Sequence, residues 1–277
     1  MGLNQERLGV EYPATHYKVE RDAMLAYARA TNEDNPLLVG DGAQVASPMF
    51  GVVWLALPMM QALFDPELIA DANLGRMVHA GQDMRFLELV RPGDELETRT
   101  KVAEIEEKSS GELLQIQMSS FRKDGRKVLE ATASCFFRGP PDPDRKKKRQ
   151  AEEWPEPWFT RSLAVDADQT LRYAEASGDH NPIHTDEETA RMMGFDGIIV
   201  HGMCTMALAQ KAILDGAVEG QVERLARLKV QFAKPVYPGD TLDVRVWKEE
   251  SEAGSPLGFV VLRGQEVAIR EGLAEIR

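Results

Sequence analysis

The chain has 277 residues, enough for two domains of ordinary size. Hydrophobic residues make up 43% and charged residues 28%, a balance that excludes an intrinsically disordered chain. A formal net charge of -12 excludes nucleic-acid or anionic-membrane binding through a broadly basic surface, yet a few local cations can still hold a polyanionic ligand.

The N-terminal MGLNQERLGVEY has neither a basic n-region nor an apolar h-region, and the C-terminal EIR is no peroxisomal address, so a cytoplasmic protein is expected. A short helix is expected over residues 23–30, followed by a polar loop where Pro36 disfavours helix at Asn35. The most apolar run, residues 48–60, is too short to span a bilayer and contains Pro58. It reads as a buried helix within residues 51–64. Leu114, Ile116 and Met118 alternate with polar residues, as strands do. Gly139-Pro-Pro-Asp-Pro-Asp-Arg-Lys-Lys-Lys-Arg-Gln150 reads as a solvated linker. Helices are expected again over residues 169–176 and 202–214. Alternating strands follow at Leu228, Val230 and Phe232 and at Leu242, Val244 and Val246, with Pro238-Gly239-Asp240 as a turn between them. Cys135 and Cys204 sit in apolar stretches and read as buried free thiols of a reducing compartment.

The two halves repeat one another. Tyr27-Ala-Arg-Ala-Thr-Asn-Glu-Asp-Asn-Pro-Leu37 returns as Tyr173-Ala-Glu-Ala-Ser-Gly-Asp-His-Asn-Pro-Ile183, an offset of 146. Met84-Arg-Phe86 and Arg91-Pro-Gly-Asp94 recur at the same offset as Val230-Gln-Phe232 and Tyr237-Pro-Gly-Asp240. One long helix with several antiparallel strands, written twice, is an α+β pattern. The expected divisions are a first domain over residues 1–138, a linker over 139–153 and a second domain over 154–277.

Ser177-Gly-Asp-His-Asn-Pro-Ile-His184, followed by Val200-His-Gly-Met203, carries the chemistry. Adding water to a polarised double bond needs a group to deprotonate water, a proton donor for the α-carbon and a stabiliser for the enolate-like oxygen. Asp179 and His184 can share one water and supply the first two; the sequence leaves open which acts as base. Gly202 opens an apolar helix, where free N–H groups and the dipole favour an oxyanion. These strings resemble the MaoC-like family of (R)-specific enoyl-thioester hydratases. The resemblance implies a double hot-dog fold with one working site. It implies catalysis by Asp179 and His184, and Gly202 as oxyanion donor within a substrate-binding set that includes Asn181, His201 and Met203. Asn181 is expected to brace the loop, and His201 to cap or pack at the helix entrance. No cofactor is expected. Asp179, His180, His184 and Asp186 cluster in sequence, but Pro182 breaks any helix that would align the histidines, so no metal is expected.

The first half serves as an internal control. At the offset of 146, Asp179 falls on Glu33, His184 on Leu38 and Gly202 on Ala56, while Asn35 and Pro36 survive. Leucine cannot transfer a proton, so the first half is expected to be a scaffold that completes the substrate tunnel. The expected function is reversible hydration of an enoyl thioester carried by coenzyme A or acyl carrier protein. The competing readings are a hot-dog thioesterase and a non-catalytic acyl-thioester-binding or assembly subunit. No nucleic acid or membrane partner is expected, and a homodimer of double hot dogs is compatible with the resemblance. Arg227, Lys229 and Lys234 either meet coenzyme A phosphates or are solvated edge residues. His16 and His79 have no partner legible in the sequence.

Overall fold

The computed structural model describes residues 2–140, 153–249 and 256–277. In chain order the first half runs β1 (Glu11–Lys18), α1 (Arg21–Ala30), α2 (Gly51–Leu63), the one-turn α3 (Pro66–Ile69), β2 (Met77–Phe86), β3 (Glu95–Lys108), β4 (Gly111–Arg122) and β5 (Lys127–Arg138). The second half runs β6 (Phe159–Ala164), α4 (Gln169–Ser177), α5 (Glu187–Met192), α6 (Gly202–Ala217), β7 (Leu225–Phe232), β8 (Thr241–Lys248), β9 (Leu257–Arg263) and β10 (Glu266–Ile276). Most of the expected linker lies outside the described residues.

The strands form one antiparallel sheet in the order β1-β3-β4-β5-β2-β7-β10-β9-β8-β6. That order is a palindrome. Each half contributes five strands, and β2 pairs with β7 to join them. Asp83 lies opposite Lys229 in that pairing, and these residues are counterparts at the offset of 146. A pseudo-two-fold axis therefore passes between them. The alternation expected of Leu114, Ile116 and Met118 is realised in β4, where all three are buried against the helices. Helices on one face of an antiparallel sheet, twice over, make the double hot dog anticipated from the resemblance.

The two long helices differ in how they lie. Every residue of α6 from Cys204 to Leu214 is buried, as expected of a helix apolar all round. The α2 helix departs from the expectation of burial: its inner face packs on the sheet, but Leu57 and Met60 are 61% and 41% exposed. Cys135 and Cys204 are buried free thiols. No helix among the described residues is long and apolar enough to cross a membrane.

Candidate active site

The loop that carries Asp179 and His184 is built by a sequence of local caps. Helix α4 stops at Ser177 because Gly178 takes a left-handed conformation, φ +76, which glycine adopts without a Cβ clash. Asp179 Oδ1 then accepts the Asn181 N–H at 3.2 Å, and Asn181 Oδ1 accepts the Ile183 N–H at 3.3 Å. These two turns start a 3-10 turn over Pro182–His184, with proline at its first position. The turn swings His184 inward, where it is buried, while Asp179 stays exposed. Asn181 thus shapes the loop, as expected.

Backbone carbonyls fix both imidazole tautomers. A carbonyl oxygen only accepts, so His184 Nδ1–H donates to Ile199 O at 2.8 Å. A neutral ring then leaves Nε2 bare as an acceptor. His201 Nε2–H likewise donates to Asp179 O at 2.9 Å, and its Nδ1 lies 3.2 Å from the Thr170 hydroxyl, which also reaches His184 O at 3.0 Å and Ile199 O at 3.2 Å. The two rings stack with centroids 3.7 Å apart and 24° between planes. Burial pushes the pKa of each below that of an ordinary histidine, and for His201 the His184 charge adds to the effect. Both rings are therefore neutral at neutral pH. His201 does more than cap or pack at the helix entrance: it ties the Asp179 backbone to the start of α6 and supports His184 from beneath.

An Asp179 carboxylate oxygen and one ring nitrogen each of His184 and His201 lie within 4.8 Å of one another. The His201 nitrogens are already engaged, by Asp179 O and Thr170 Oγ1. Two acceptors remain, His184 Nε2 and the Asp179 carboxylate, and that pair suits the two hydrogens of one water. The cluster read from sequence does not assemble. His180 is exposed, with Glu175 3.8 Å away, and Asp186 caps α5 by accepting the Thr189 N–H at 2.8 Å.

Gly202 is the first residue of α6, and the first intrahelical bond is Thr205 N–H to His201 O at 3.0 Å. The N–H groups ahead of it face the positive end of the helix dipole. A Cβ on Gly202 would meet the Phe232 ring at 3.2 Å, so glycine also sets the closeness of approach there. Met203 follows it, partly buried.

In the first half the corresponding place is occupied. Leu38 is buried at 1% exposure, and the Asn35 side chain repeats the turn made by Asn181, accepting the Leu37 N–H at 3.0 Å. The neighbouring acids hold α6 of the other half. Gln210 donates to Glu33 at 3.4 Å and to Ser47 at 3.2 Å, and accepts the Met49 N–H at 3.0 Å. Lys211 pairs with Asp34 at 2.5 Å and Asp215 at 2.9 Å. Burial pushes the Glu33 carboxyl up to about 7 against the pull of Lys211. One correspondence needs correction. The residue that opens α2 is Gly51, not Ala56, so helix starts are 151 residues apart although the strands keep 146. The second half spends the extra five residues in the stretch that includes α5.

Sequence reasoning missed His79. It lies in β2, its ring edge-on to Phe232 at 5.3 Å and its Nε2 3.1 Å from Gln82 Oε1. Only the seam between the halves brings it there. Arg227 is held by Asp83 and Glu275 and is not free for a phosphate; Lys229 and Lys234 are exposed. A groove of about 630 Å³ lies away from the histidines, between Leu87, Arg91, Arg122 and Arg277. Arg122 there is paired with Glu88 and Asp94, and no histidine lines the groove.

Comparison with known proteins places the chain in a family. Residues 150–267 match the MaoC-like dehydratase domain, and residues 6–131 match the dehydratase region of FAS1-like proteins. The chain is 28% identical over 209 residues to a probable enoyl-CoA hydratase 2 of Dictyostelium discoideum, covering 70% of this chain and 71% of that one. It is 28% identical over 264 residues to 3-hydroxyacyl-thioester dehydratase Y of Mycobacterium tuberculosis, covering 90% and 89%. It also matches the peroxisomal multifunctional enzyme type 2 of Mus musculus, 30% identical over 212 residues and 73% of this chain, but spans only 28% of that protein. A crystal structure of a MaoC-like dehydratase from Phytophthora capsici superposes with a TM-score of 0.81 at 24% identity, covering 98% of this chain and 96% of that one.

Proposed function

The chain is a MaoC-like double hot-dog protein with dehydratase domains in both halves, and from that premise we propose that it is a hydro-lyase that reversibly hydrates an enoyl-CoA to the (R)-3-hydroxyacyl-CoA. The observation that carries this reading is the bare Nε2 of His184 beside the Asp179 carboxylate, at the mouth of α6. A water there donates one hydrogen to His184 and the other to Asp179. As its oxygen bonds to the β-carbon, one proton passes to the pair. Negative charge moves to the thioester oxygen, which the Gly202 N–H receives. A proton returned to the α-carbon on the same face completes a syn addition. His201 and Asn181 hold the pair in place without touching the substrate. The first half closes the tunnel, and the two buried thiols suit the cytoplasm we assign to it.

The test is hydration of a short enoyl-CoA, followed by loss of the enoyl absorbance, in wild type, Asp179→Asn and His184→Ala. Each variant is expected to lose at least about 100-fold in kcat, the scale of a removed general acid–base group. Unchanged rates in folded variants refute the assignment. Release of free thiol in step with loss of the enoyl absorbance replaces it with thioester hydrolysis.

A further inference from the structure

The half without the catalytic pair places one histidine beside it. In β2 the register against β5 shifts between His79 and Gly81, and the bulge re-aims the His79 side chain. Gly81 pairs with Gln231 across the seam, and a Cβ on it would meet Val230 O at 2.8 Å, so the two strands run close there. His79 is thereby brought edge-on to Phe232, the residue after Gln231. Phe232 in turn lies against Gly202, with three ring atoms 3.2–3.3 Å from where a Cβ would be. The contacts form a line from the first half, through one aromatic ring, to the helix start that receives the thioester oxygen.

His79 is itself held firmly. Gln82, 4% exposed, meets its Nε2 at 3.1 Å. Burial pushes its pKa below the ordinary value, against the opposing pull of Asp179's charge. The ring is thus neutral near a carboxylate, and its contribution lies in where it stands.

We infer that His79 is a positioning residue of the hydratase site: its ring holds Phe232 against Gly202 and so fixes the oxyanion-receiving turn from the opposite half. This rests on the hydratase reading above. An edge-to-face aromatic contact is directional, so its loss lets Phe232 tilt and the turn drift. A misplacement of that kind weakens the transition state more than the ground state.

The experiment compares kcat and KM for enoyl-CoA hydration in wild type, His79→Ala, His79→Phe, Phe232→Leu and the double variant His79→Ala/Phe232→Leu. His79→Ala is expected to lower kcat about tenfold with KM moved less than twofold. His79→Phe, which restores a ring edge, recovers most of kcat. The double variant is no slower than the worse single one, because both substitutions break the same line. Wild-type kcat in folded His79→Ala, failure of His79→Phe to recover kcat, or additive losses overturn the inference. If His79→Ala does not fold, His79→Asn keeps an amide for Gln82 without the ring; it should show the same loss, and wild-type kcat in it overturns the inference. Absence of hydration in wild type instead sinks the reading on which the inference rests.

Discussion

Gln210 is a polar side chain with no exposure, set in an otherwise apolar helix, and replacing it by leucine isolates what it contributes. The two side chains are close in size, so Gln210→Leu changes bonding more than packing. It strips the Met49 N–H of its acceptor at 3.0 Å, a buried backbone donor whose desolvation costs about 1–3 kcal/mol when unmet. It also removes the donors to Ser47 and Glu33, at 3.2 and 3.4 Å, each worth about 0.5–1.5 kcal/mol, while the added apolar burial offsets part of the loss. The net expectation is a destabilisation of about 2–4 kcal/mol, read from the urea midpoint with an unchanged m-value. Gln210→Glu provides the contrast. It keeps an acceptor for Met49 but sets a second carboxyl beside Glu33. Glu33 ionises only near 7, so the variant should lose stability progressively as pH rises through that region. Gln210→Leu within about 0.5 kcal/mol of wild type, or a Gln210→Glu deficit that does not grow with pH, refutes the claim that the idle loop clamps α6 through these bonds.

Other outcomes follow from the same geometry. Because burial outweighs the attraction of Asp179 and lowers the pKa of His184, the acid limb of kcat/KM should lie below 6.5; a limb above 6.5 contradicts this balance. Glu33→Gln removes a carboxyl whose folded pKa is raised; its neutral form favours folding at low pH, and that advantage is lost as pH rises through about 7. The variant should therefore gain on wild type in urea midpoint above pH 7 and not below pH 5. Gly202→Ala retains the N–H but drives a methyl into the Phe232 ring at 3.2 Å, so hydration should slow by about tenfold or more with stability little changed; an equally active variant means the thioester does not approach that turn. Leu38→His in an Asp179→Asn/His184→Ala background should restore no hydration, since Gln210 and Lys211 already occupy the first half's loop; recovered activity would show that loop to be open.

That Asp179 and His184 would lie together was legible because they share one contiguous loop, whose Asx and proline turns are local chemistry. The repeat was legible for the same reason in the loops at Asn35 and Asn181 and in the strands ending at Phe86 and Phe232. It misaligned the helix starts because α5 lengthens only the second connection, and a single offset cannot absorb an insertion. The stack of His201 on His184 and the edge contact of His79 with Phe232 were illegible: both arise from chain segments brought together only by the fold. The roles of the buried Gln210 and Lys211 were illegible too, since all the partners of Gln210 and one of the two carboxylates that hold Lys211 lie in the other half.

The seam at Asp83 and Lys229 bears on how such a chain can arise and assemble. In an assembly of two identical half-length chains, the residue on the axis must face its own copy, and a charge there would meet the same charge. Joining the copies into one polypeptide lifts that constraint: Asp83 can stand opposite Lys229 and be gripped by Arg227, whose own counterpart is Gly81. The seam therefore discriminates. A first half meeting another first half would set aspartate against aspartate, while first meeting second sets acid against base. Fusion lets the two halves diverge into unlike partners that recognise each other by charge, and it leaves one of them free to give up chemistry.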